Sequence, residues 1–401
     1  MTTESITFTQ TEEKRSFQGL QALPILLGHF VHDIYTAAVA PLLPVLIEKL
    51  SLSLTAAGSL TAIMQIPAVL NPFIGYLADR VSVRYFVIFA PAVTATLVSL
   101  IGFAPSYLSL AILLFAAGVS TAAFHAPAPA MIARISGTRI GLGMSLFMVA
   151  GSLGYTVGPL LAVWAVSTWT LDGFWRLVFM GWATSLVLYF RLRNMPARPE
   201  KSANLRAMLP LVGGVFVPII LFNLFRNPMI ECLTTYLPTY MSSQGSSLWV
   251  AGASLSIIEF AGAAGSLTMG VWSDRIGRKR VLFVGSLLTS LLMLVFLRAQ
   301  GWLIGLILLA LGFMGFSALP VMLAIVQEQF PNHRATANGL YMMVIFLLRP
   351  VGTLVVGLLG DRFGLQTAFL IATGISFLTL PVILTLPEKH GLPSAADQQS
   401  T

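Results

Sequence analysis

The stretch Gly270-Val-Trp-Ser-Asp274-Arg275-Ile-Gly277-Arg278-Lys279 connects two long apolar runs. A shorter copy, Gly75-Tyr-Leu-Ala-Asp79-Arg80, stands 195 positions earlier and also follows an apolar run. Pro44 and Pro238, which are 194 positions apart, repeat at nearly the same offset. The connecting motif thus recurs after about half the length of the chain, which predicts that the chain consists of two related halves. Repeated helical bundles in a membrane are typical of transporters.

The composition indicates that lipid surrounds most of the chain. Of 401 residues, 56% are hydrophobic and only 9% are charged, whereas soluble domains carry roughly 25% charged residues. The formal net charge of +8 does not indicate a nucleic-acid partner, because the basic residues lie in short connections and form no binding motif. Cys232 is the single cysteine, which excludes an intramolecular disulfide and a cysteine metal site.

Twelve apolar runs approach or exceed the roughly 20 residues that a helix needs to span a bilayer. They predict an all-α polytopic membrane protein with twelve transmembrane helices in two pseudo-symmetric six-helix bundles. We expect the bundles at residues 20–190 and 208–386, a linker at 191–207, and tails at 1–19 and 387–401. The predicted helices are 20–47, 55–78, 85–104, 108–132, 141–166, 175–190, 208–241, 248–272, 281–298, 302–326, 335–359 and 367–386.

The distribution of Lys and Arg predicts the orientation of these helices. With the N-terminus in the cytoplasm, seventeen of the 23 basic residues fall on the cytoplasmic side and four on the outer side. Arg226 and Arg349 lie within helices. Because basic residues concentrate in cytoplasmic connections, both termini are predicted to be cytoplasmic, in a multi-pass protein of the inner (plasma) membrane.

The repeated motif resembles the G-x-x-x-D-R-x-G-R-K signature of the major facilitator superfamily. The second copy is complete, whereas Ser82 and Val83 depart from the signature in the first. The resemblance implies alternating access to a site between two bundles, and a monomer in the bilayer. Since Asp and Arg can bond helix ends and carboxylates, we expect a cytoplasmic gate formed by Gly75, Asp79, Arg80, Gly270, Asp274, Arg275, Gly277 and Arg278.

Two further features narrow the resemblance. Helix five carries Gly151-Ser-Leu-Gly154-Tyr-Thr-Val-Gly158-Pro159, and its Gly154, Gly158 and Pro159 resemble the antiporter motif of drug-exporting facilitators. Ordinary close packing of small residues is the alternative interpretation. Gly28-His29-Phe-Val-His32-Asp33 and Phe124-His125-Ala126-Pro127 are similar to segments of fosmidomycin-resistance-type exporters, although His32 replaces an Asn and a Glu is missing after the second segment. These departures leave the substrate open.

Ionisable side chains at membrane depth cost several kcal/mol unless they pair or face a cavity, so those retained here are candidate functional residues. Asp33 is the leading proton carrier, and it shares one face of the first helix with His29 and Thr36 at about 100° per residue. The candidates for proton coupling are Asp33, His29, His32, Glu231 and Glu259. The candidates for the substrate cavity are Thr36, His125, Asn223, Arg226, Asn227 and Arg349.

Both helical arginines have two interpretations. Arg226 and Arg349 could bind an anionic group of a substrate, or they could pair internally with Asp33, Glu231 or Glu259. The spacing of the residues does not distinguish these alternatives.

These observations favour secondary active export of a small amphipathic or anionic compound in exchange for protons. Proton-coupled uptake of a similar solute by the same fold is the alternative. A membrane-embedded enzyme is disfavoured, because the chain has no His-x-x-Glu-His, Gly-x-Ser-x-Gly or Asp-rich metal motif. A sensor is disfavoured by the short tails and loops. The expected partners are a small-molecule substrate, protons and lipid, with no nucleic acid, cofactor or metal.

Overall fold

The computed structural model describes residues 18–70, 84–137, 139–194, 212–330 and 334–387. Within these ranges all regular structure is helical. Eleven helices of the described part are long and apolar enough to cross a membrane, and the apolar helix Leu54–Val69 is shorter. The all-helical membrane architecture is therefore confirmed. The count of twelve spans and the cytoplasmic position of the termini stay predictions, because residues 71–83 and both tails lie outside the described residues.

We number the helices α1 to α12 in chain order. The first half contains α1 (Gly19–Leu50), α2 (Leu54–Val69), α3 (Arg84–Phe103), α4 (Tyr107–Ile135), α5 (Ile140–Trp169) and α6 (Asp172–Leu192). The second half contains α7 (Val212–Thr234), α8 (Leu248–Ile276), α9 (Arg278–Phe296), α10 (Leu303–Gln329), α11 (Arg334–Phe363) and α12 (Leu365–Thr385). The 3₁₀ segments are Ile66–Leu70, Leu100–Phe103 and Asp172–Leu177.

Prolines interrupt spans that the sequence predicted as continuous helices. α1 divides at Ala38, because Pro41 cannot donate a hydrogen bond to the carbonyl four residues earlier. α4 divides after His125, where Pro127 and Pro129 follow. The separate pieces are Gly19–Ala37 and Val39–Leu50 in α1, Tyr107–His125 and Ala128–Ile135 in α4, Leu303–Gly315 and Ala318–Gln329 in α10, and Leu365–Ser376 and Thr379–Thr385 in α12.

The seventh predicted helix, 208–241, differs most from the structure. α7 ends at Thr234, and a separate short helix, Leu237–Ser243, follows it with Pro238 in its first turn. The predicted linker, 191–207, lies mostly outside the described residues, so its extent stays a prediction.

Each half buries apolar cores of its own. In the first half, one cluster includes Tyr35, Leu42 and Leu60, all fully buried. In the second half, another includes Tyr236 and Phe369. Many large apolar side chains on the outward faces remain exposed, as expected for a chain whose surroundings are lipid.

The two halves are joined at one end of the molecule. We call this end distal; it carries the turns at 51–53, 104–106, 170–171, 244–247, 297–302 and 364. The Asp361 carboxylate on α11 accepts hydrogen bonds from the backbone N–H groups of Leu54, at 2.6 Å, and Thr55, at 2.9 Å. These N–H groups form the exposed N-terminus of α2, which favours a negative charge. Beside them, the Tyr236 hydroxyl lies 3.1 Å from the Leu54 carbonyl oxygen.

Replacing Asp361 with Ala should favour separation of the distal ends. Loss of a helix cap costs about 1 kcal/mol, which corresponds to roughly a fivefold rise in the distal-open population. Spin labels at the exposed positions Leu108 and Trp302 would measure the separation of the two halves. The native Cys232 is buried and so should not compete for the label. Asp172→Ala is the matched control, because Asp172 contacts Lys49 within its own half. An unchanged distance distribution in Asp361→Ala would contradict the assignment of this contact as a closure.

Candidate functional site

A buried carboxylate lies between two histidines where α1, α4 and α5 meet. The Asp33 Oδ2 atom is 3.1 Å from His29 Nε2, one turn earlier on α1. Its Oδ1 atom is 3.5 Å from His125 Nε2, which stands at the break in α4. Asp33 and His29 are buried, whereas the His125 side chain is 31% exposed. We call His29, Asp33 and His125 the triad.

The second nitrogen of each triad histidine contacts the backbone. His29 Nδ1 lies 2.8 Å from the carbonyl oxygen of Phe147, and His125 Nδ1 lies 3.0 Å from that of Thr121. A carbonyl oxygen only accepts, so both Nδ1 atoms must carry hydrogen. In a neutral imidazole, each Nε2 atom therefore directs a lone pair at the carboxylate. This repulsion ends only when a proton lies between the Nε2 atom and the facing Asp33 oxygen. Two protons would convert both contacts into charge-assisted hydrogen bonds.

The triad has the donor set of a metal site as well. Its three ligand atoms lie within 4.8 Å of one another. Histidines that bind metals commonly donate their other N–H to a backbone carbonyl, as both triad histidines do here. The sequence analysis expected no metal and did not anticipate that His125 would join this group.

His32 lies next to the triad without contacting its carboxylate. Its ring is fully buried, and neither nitrogen has a hydrogen-bond partner. The ring stacks on Phe124 with centroids 4.7 Å apart and lies 5.5 Å from the His125 ring. Of the residues predicted for proton coupling on α1, the structure thus brings His29 and Asp33 together and leaves His32 in an aromatic environment.

The glycines of α5 pack directly against the triad. A Cβ atom at Gly151 would lie 2.8 Å from the Asp33 Oδ2 atom. At Gly154 it would lie 2.5 Å from the Phe30 carbonyl oxygen and 2.8 Å from Asp33 Cβ. At Gly158 it would meet the α1 backbone at 2.7 Å. Small residues here allow the two helices to approach closely, which encloses the carboxylate, while Pro159 lies within α5 just beyond them.

Gly154→Ala should destabilise the protein, because the added methyl group meets backbone that cannot move aside. Overpacking of this kind costs about 1–3 kcal/mol, and a lower thermal unfolding temperature in detergent would report it. Gly141→Ala is the matched control on the same helix, since a Cβ there meets nothing within 4 Å. Equal unfolding temperatures for the two variants would contradict the close contact between α1 and α5.

A second buried carboxylate lies in the other half. Glu231 on α7 is fully buried, and its Oε1 atom accepts a hydrogen bond from Arg349 Nε on α11 at 2.9 Å. Its Oε2 atom accepts from the hydroxyls of Thr235, at 2.7 Å, and Thr353, at 2.9 Å. Of the two interpretations of Arg349, the structure contains the internal pair, although the Arg349 side chain remains 32% exposed.

Tyr155 on α5 stands at the interface between the halves. Asp33 of the first half and Arg349 and Glu259 of the second are near enough to Tyr155 to interact with it electrostatically. The sequence analysis did not select Tyr155. Its position directly after Gly154 in the helix-five motif was the available signal.

Replacing only one partner of the Glu231–Arg349 pair should destabilise the protein more, per residue changed, than replacing both partners together. Glu231→Gln leaves the arginine without its counter-charge, and single removals of buried pairs typically cost about 3–5 kcal/mol. We expect Glu231→Gln with Arg349→Gln to be less destabilising than the sum of the single changes, by about 1 kcal/mol or more. Chemical denaturation of the four proteins measures this coupling. Additive effects would contradict the pair.

The other polar residues predicted on α7 do not join this group. Arg226 donates to the Gly315 carbonyl oxygen on α10. Asn223 Nδ2 donates to the Ile219 carbonyl oxygen at 2.8 Å. Asn227 is buried, and its Nδ2 atom has no partner. These side chains therefore lie inside the second half and not in the Glu231 group.

The second copy of the repeated motif joins α8 to α10. Gly277 adopts φ 101° at the α8–α9 connection, a conformation that favours glycine. Arg278 binds Asp274 and lies 2.8 Å from Glu328 Oε1 at the end of α10. Gly270 supplies a nearby carbonyl, and Arg275 is exposed. The first copy, with Gly75, Asp79 and Arg80, lies outside the described residues, so the predicted gate stays a prediction.

Comparison with known proteins identifies the class of molecule. The chain is 25% identical to the fosmidomycin resistance protein of Escherichia coli (strain K12) over 390 residues, covering 95% of each chain. Its fold matches a D-xylose-proton symporter with a TM-score of 0.78 at 19% identity, covering 94% of this chain and 100% of that one. It also matches an inward-facing bacterial homologue of the human lysosomal transporter Spinster with a TM-score of 0.79 at 14% identity, covering 92% and 97%.

The family match and the transporters that the chain resembles indicate a membrane transporter and not an enzyme. The family model of the Major Facilitator Superfamily matches residues 25–267 and 231–400. The chain belongs to the Major Facilitator Superfamily, and the similarity to the fosmidomycin-resistance type is confirmed.

Proposed function

We propose that this protein exports a small amphipathic or anionic compound in exchange for protons. The observation that carries the proposal is the triad, in which a buried carboxylate faces two imidazole nitrogens at 3.1 and 3.5 Å. The similarity to the fosmidomycin resistance protein supports export, because that relative is named for resistance to a compound. The protein would work as a monomer in the inner membrane.

The triad is suited to bind and release protons during the transport cycle. Without added protons, the Asp33 oxygens and the two Nε2 atoms repel one another inside a close helix contact. Protons at His29 or His125 remove this repulsion, so proton binding and the packing of α1 against α4 and α5 are linked. His125 is the partly exposed member of the triad, and it offers a route by which protons reach Asp33.

Arg349 is the residue we assign to an anionic part of the substrate. Its Nε atom binds Glu231, which leaves the terminal N–H groups of a partly exposed guanidinium. An arginine can present these groups in a planar fork to a carboxylate or phosphonate. Tyr155 and Glu259 lie near it. Through Tyr155, a substrate bound at Arg349 would influence the triad in the opposite half.

Alternating access would require the distal contacts to open. Asp361 at the N-terminus of α2 and Tyr236 beside Leu54 hold this end closed. If the termini are cytoplasmic, as the basic residues predict, the end that these contacts close faces the outside of the cell.

Transport in proteoliposomes tests the proposal. A panel of organic anions and drugs that includes a phosphonate would be loaded against a proton gradient, with internal pH and substrate movement recorded together. We expect substrate entry to drive proton efflux, and Asp33→Asn to reduce this coupling about tenfold or more. The reason is that an Asn amide group carries no negative charge and cannot take up a proton, while its NH₂ group can donate to one of the two imidazoles without an added proton.

Asp172→Asn is the matched control, because Asp172 is an exposed carboxylate at the distal end. Proton movement in the same direction as substrate would favour uptake over export. Unaltered coupling in Asp33→Asn would contradict the assignment of the triad and direct attention to Glu259 and Glu231. An equimolar transition metal in the purified protein would also contradict it.

A further inference from the structure

The side chains of the triad converge in the manner of metal ligands. His29 and Asp33 are one turn apart on α1, a spacing that lets two side chains bind one metal ion from the same helix face. His125 approaches the other oxygen of the same carboxylate from the break in α4. Two imidazoles and one carboxylate form a three-ligand set with which zinc keeps a fourth position open.

The separations of the ligand atoms suit a zinc ion. Zinc binds nitrogen and oxygen at about 2.0–2.2 Å, so two of its ligands at the tetrahedral angle are about 3.4 Å apart. The contacts of Asp33 with His29 and His125, at 3.1 and 3.5 Å, already have nearly this separation. All three ligand atoms lie within 4.8 Å of one another. The remaining approach is therefore about 1.4 Å or less, which a rotation of the partly exposed His125 side chain can supply.

Contacts behind the ligands hold both imidazoles in the orientation that a metal requires. The Nδ1 atoms of His29 and His125 lie 2.8 and 3.0 Å from the carbonyl oxygens of Phe147 and Thr121, so each Nε2 keeps its lone pair for the site. The His29 ring also stacks on the Phe147 ring, with centroids 3.8 Å apart. Outer contacts of this kind change metal affinity by about 10–100-fold.

The chemistry of the donor set selects among metal ions. With both imidazoles neutral, one divalent ion supplies the same positive charge as the two protons that would otherwise relieve the repulsion in the triad. Magnesium and calcium prefer sites made of oxygen ligands, whereas imidazole suits zinc, copper and nickel. A pair of imidazoles with a single carboxylate therefore favours a transition metal over the hard divalent cations.

We propose that the triad is a binding site for one divalent transition metal ion of the zinc class. The ion bonds the two Nε2 atoms and the Asp33 carboxylate, and water fills the fourth position. It ties α1 to α4 and so stabilises the folded protein. The ion is an inhibitory ligand and not a resident cofactor, because it occupies the atoms to which protons are assigned. The inhibition rests on the proposed function, whereas the site itself does not.

Metal titration of the purified full-length protein, without a histidine tag, tests the site independently of transport. Cobalt(II) is the spectroscopic probe, because its visible absorption distinguishes four-coordinate from six-coordinate geometry. We expect one equivalent of cobalt to give the intense absorption of the four-coordinate ion, and zinc to displace it. Zinc should raise the unfolding temperature in a saturable manner, whereas magnesium at the same concentration should not.

Substitutions in the triad should weaken this binding. His125→Gln removes a ligand and Asp33→Asn removes the ligand charge, so each should raise the dissociation constant for cobalt about tenfold or more. His32→Gln is the matched control, since His32 is the neighbouring histidine and lies outside the group of ligand atoms. Its dissociation constant should equal that of the unmodified protein.

X-ray absorption by the zinc-loaded, unmodified protein keeps the test decisive if a triad variant does not fold. Two imidazole nitrogens among the zinc ligands are the expected result. A shell of oxygen atoms alone would overturn the site, as would six-coordinate cobalt or unaltered binding in both triad variants. If cobalt binds as expected but proton coupling survives in Asp33→Asn, the site stands and the proposed function fails. Coupling that depends on Asp33 in a protein that binds no cobalt would overturn the site and leave the proposed function in place.

Discussion

The contact between Asp33 and two imidazole nitrogens is the constraint on which the candidate mechanism depends. Backbone carbonyls occupy the Nδ1 atoms of His29 and His125, so both rings present Nε2 to one carboxylate. This arrangement is repulsive when the groups are fully deprotonated and attractive when protons are added. Protonation is thus tied to the geometry of three helices, which is what a coupled transporter needs.

The rest of the first half positions this contact. Pro127 and Pro129 end the main segment of α4 at His125, which places the ring at a break. The glycines of α5 bring its backbone against α1, and this packing keeps Asp33 buried. The motif that resembles an antiporter signature therefore has a structural explanation as helix packing. The sequence analysis offered an antiporter motif and ordinary helix packing as alternatives. Both describe one physical feature, because the close packing of α5 on α1 encloses the Asp33 carboxylate.

The two halves use corresponding positions differently. By the repeat offset, His32 and Asp33 correspond to Arg226 and Asn227. His32 and Arg226 both point into the interior of their own halves, near the breaks in α4 and α10. The buried carboxylate of the second half instead comes from Glu231, one turn further along α7. Tyr155 is near enough to both Asp33 and Arg349 to interact with them electrostatically, so the asymmetry places the proposed proton site in one half and a partly exposed guanidinium in the other.

Local sequence predicted the parts of this account that depend on helix periodicity and composition. The apolar runs predicted an all-helical membrane protein, and the i, i+4 spacing predicted that His29 and Asp33 would share one face of the first helix. The partner in α4 was not predictable in this way, because His125 is distant in sequence and its approach depends on how α4 packs. The pairing of Arg349 with Glu231 was one of two open alternatives for the same reason. Asp361 was overlooked, since a carboxylate at the end of a helix gives no sign that it caps a helix in the other half.

Nitrogen NMR of the histidine side chains tests the central claim most directly. The full-length protein would be labelled with ¹⁵N-histidine, and His29→Gln and His125→Gln would assign two of its five histidines. At neutral pH the account predicts at least one triad imidazole with protons on both nitrogens, and the loss of that signal in Asp33→Asn. Two neutral imidazoles that do not respond to Asp33→Asn would contradict the account.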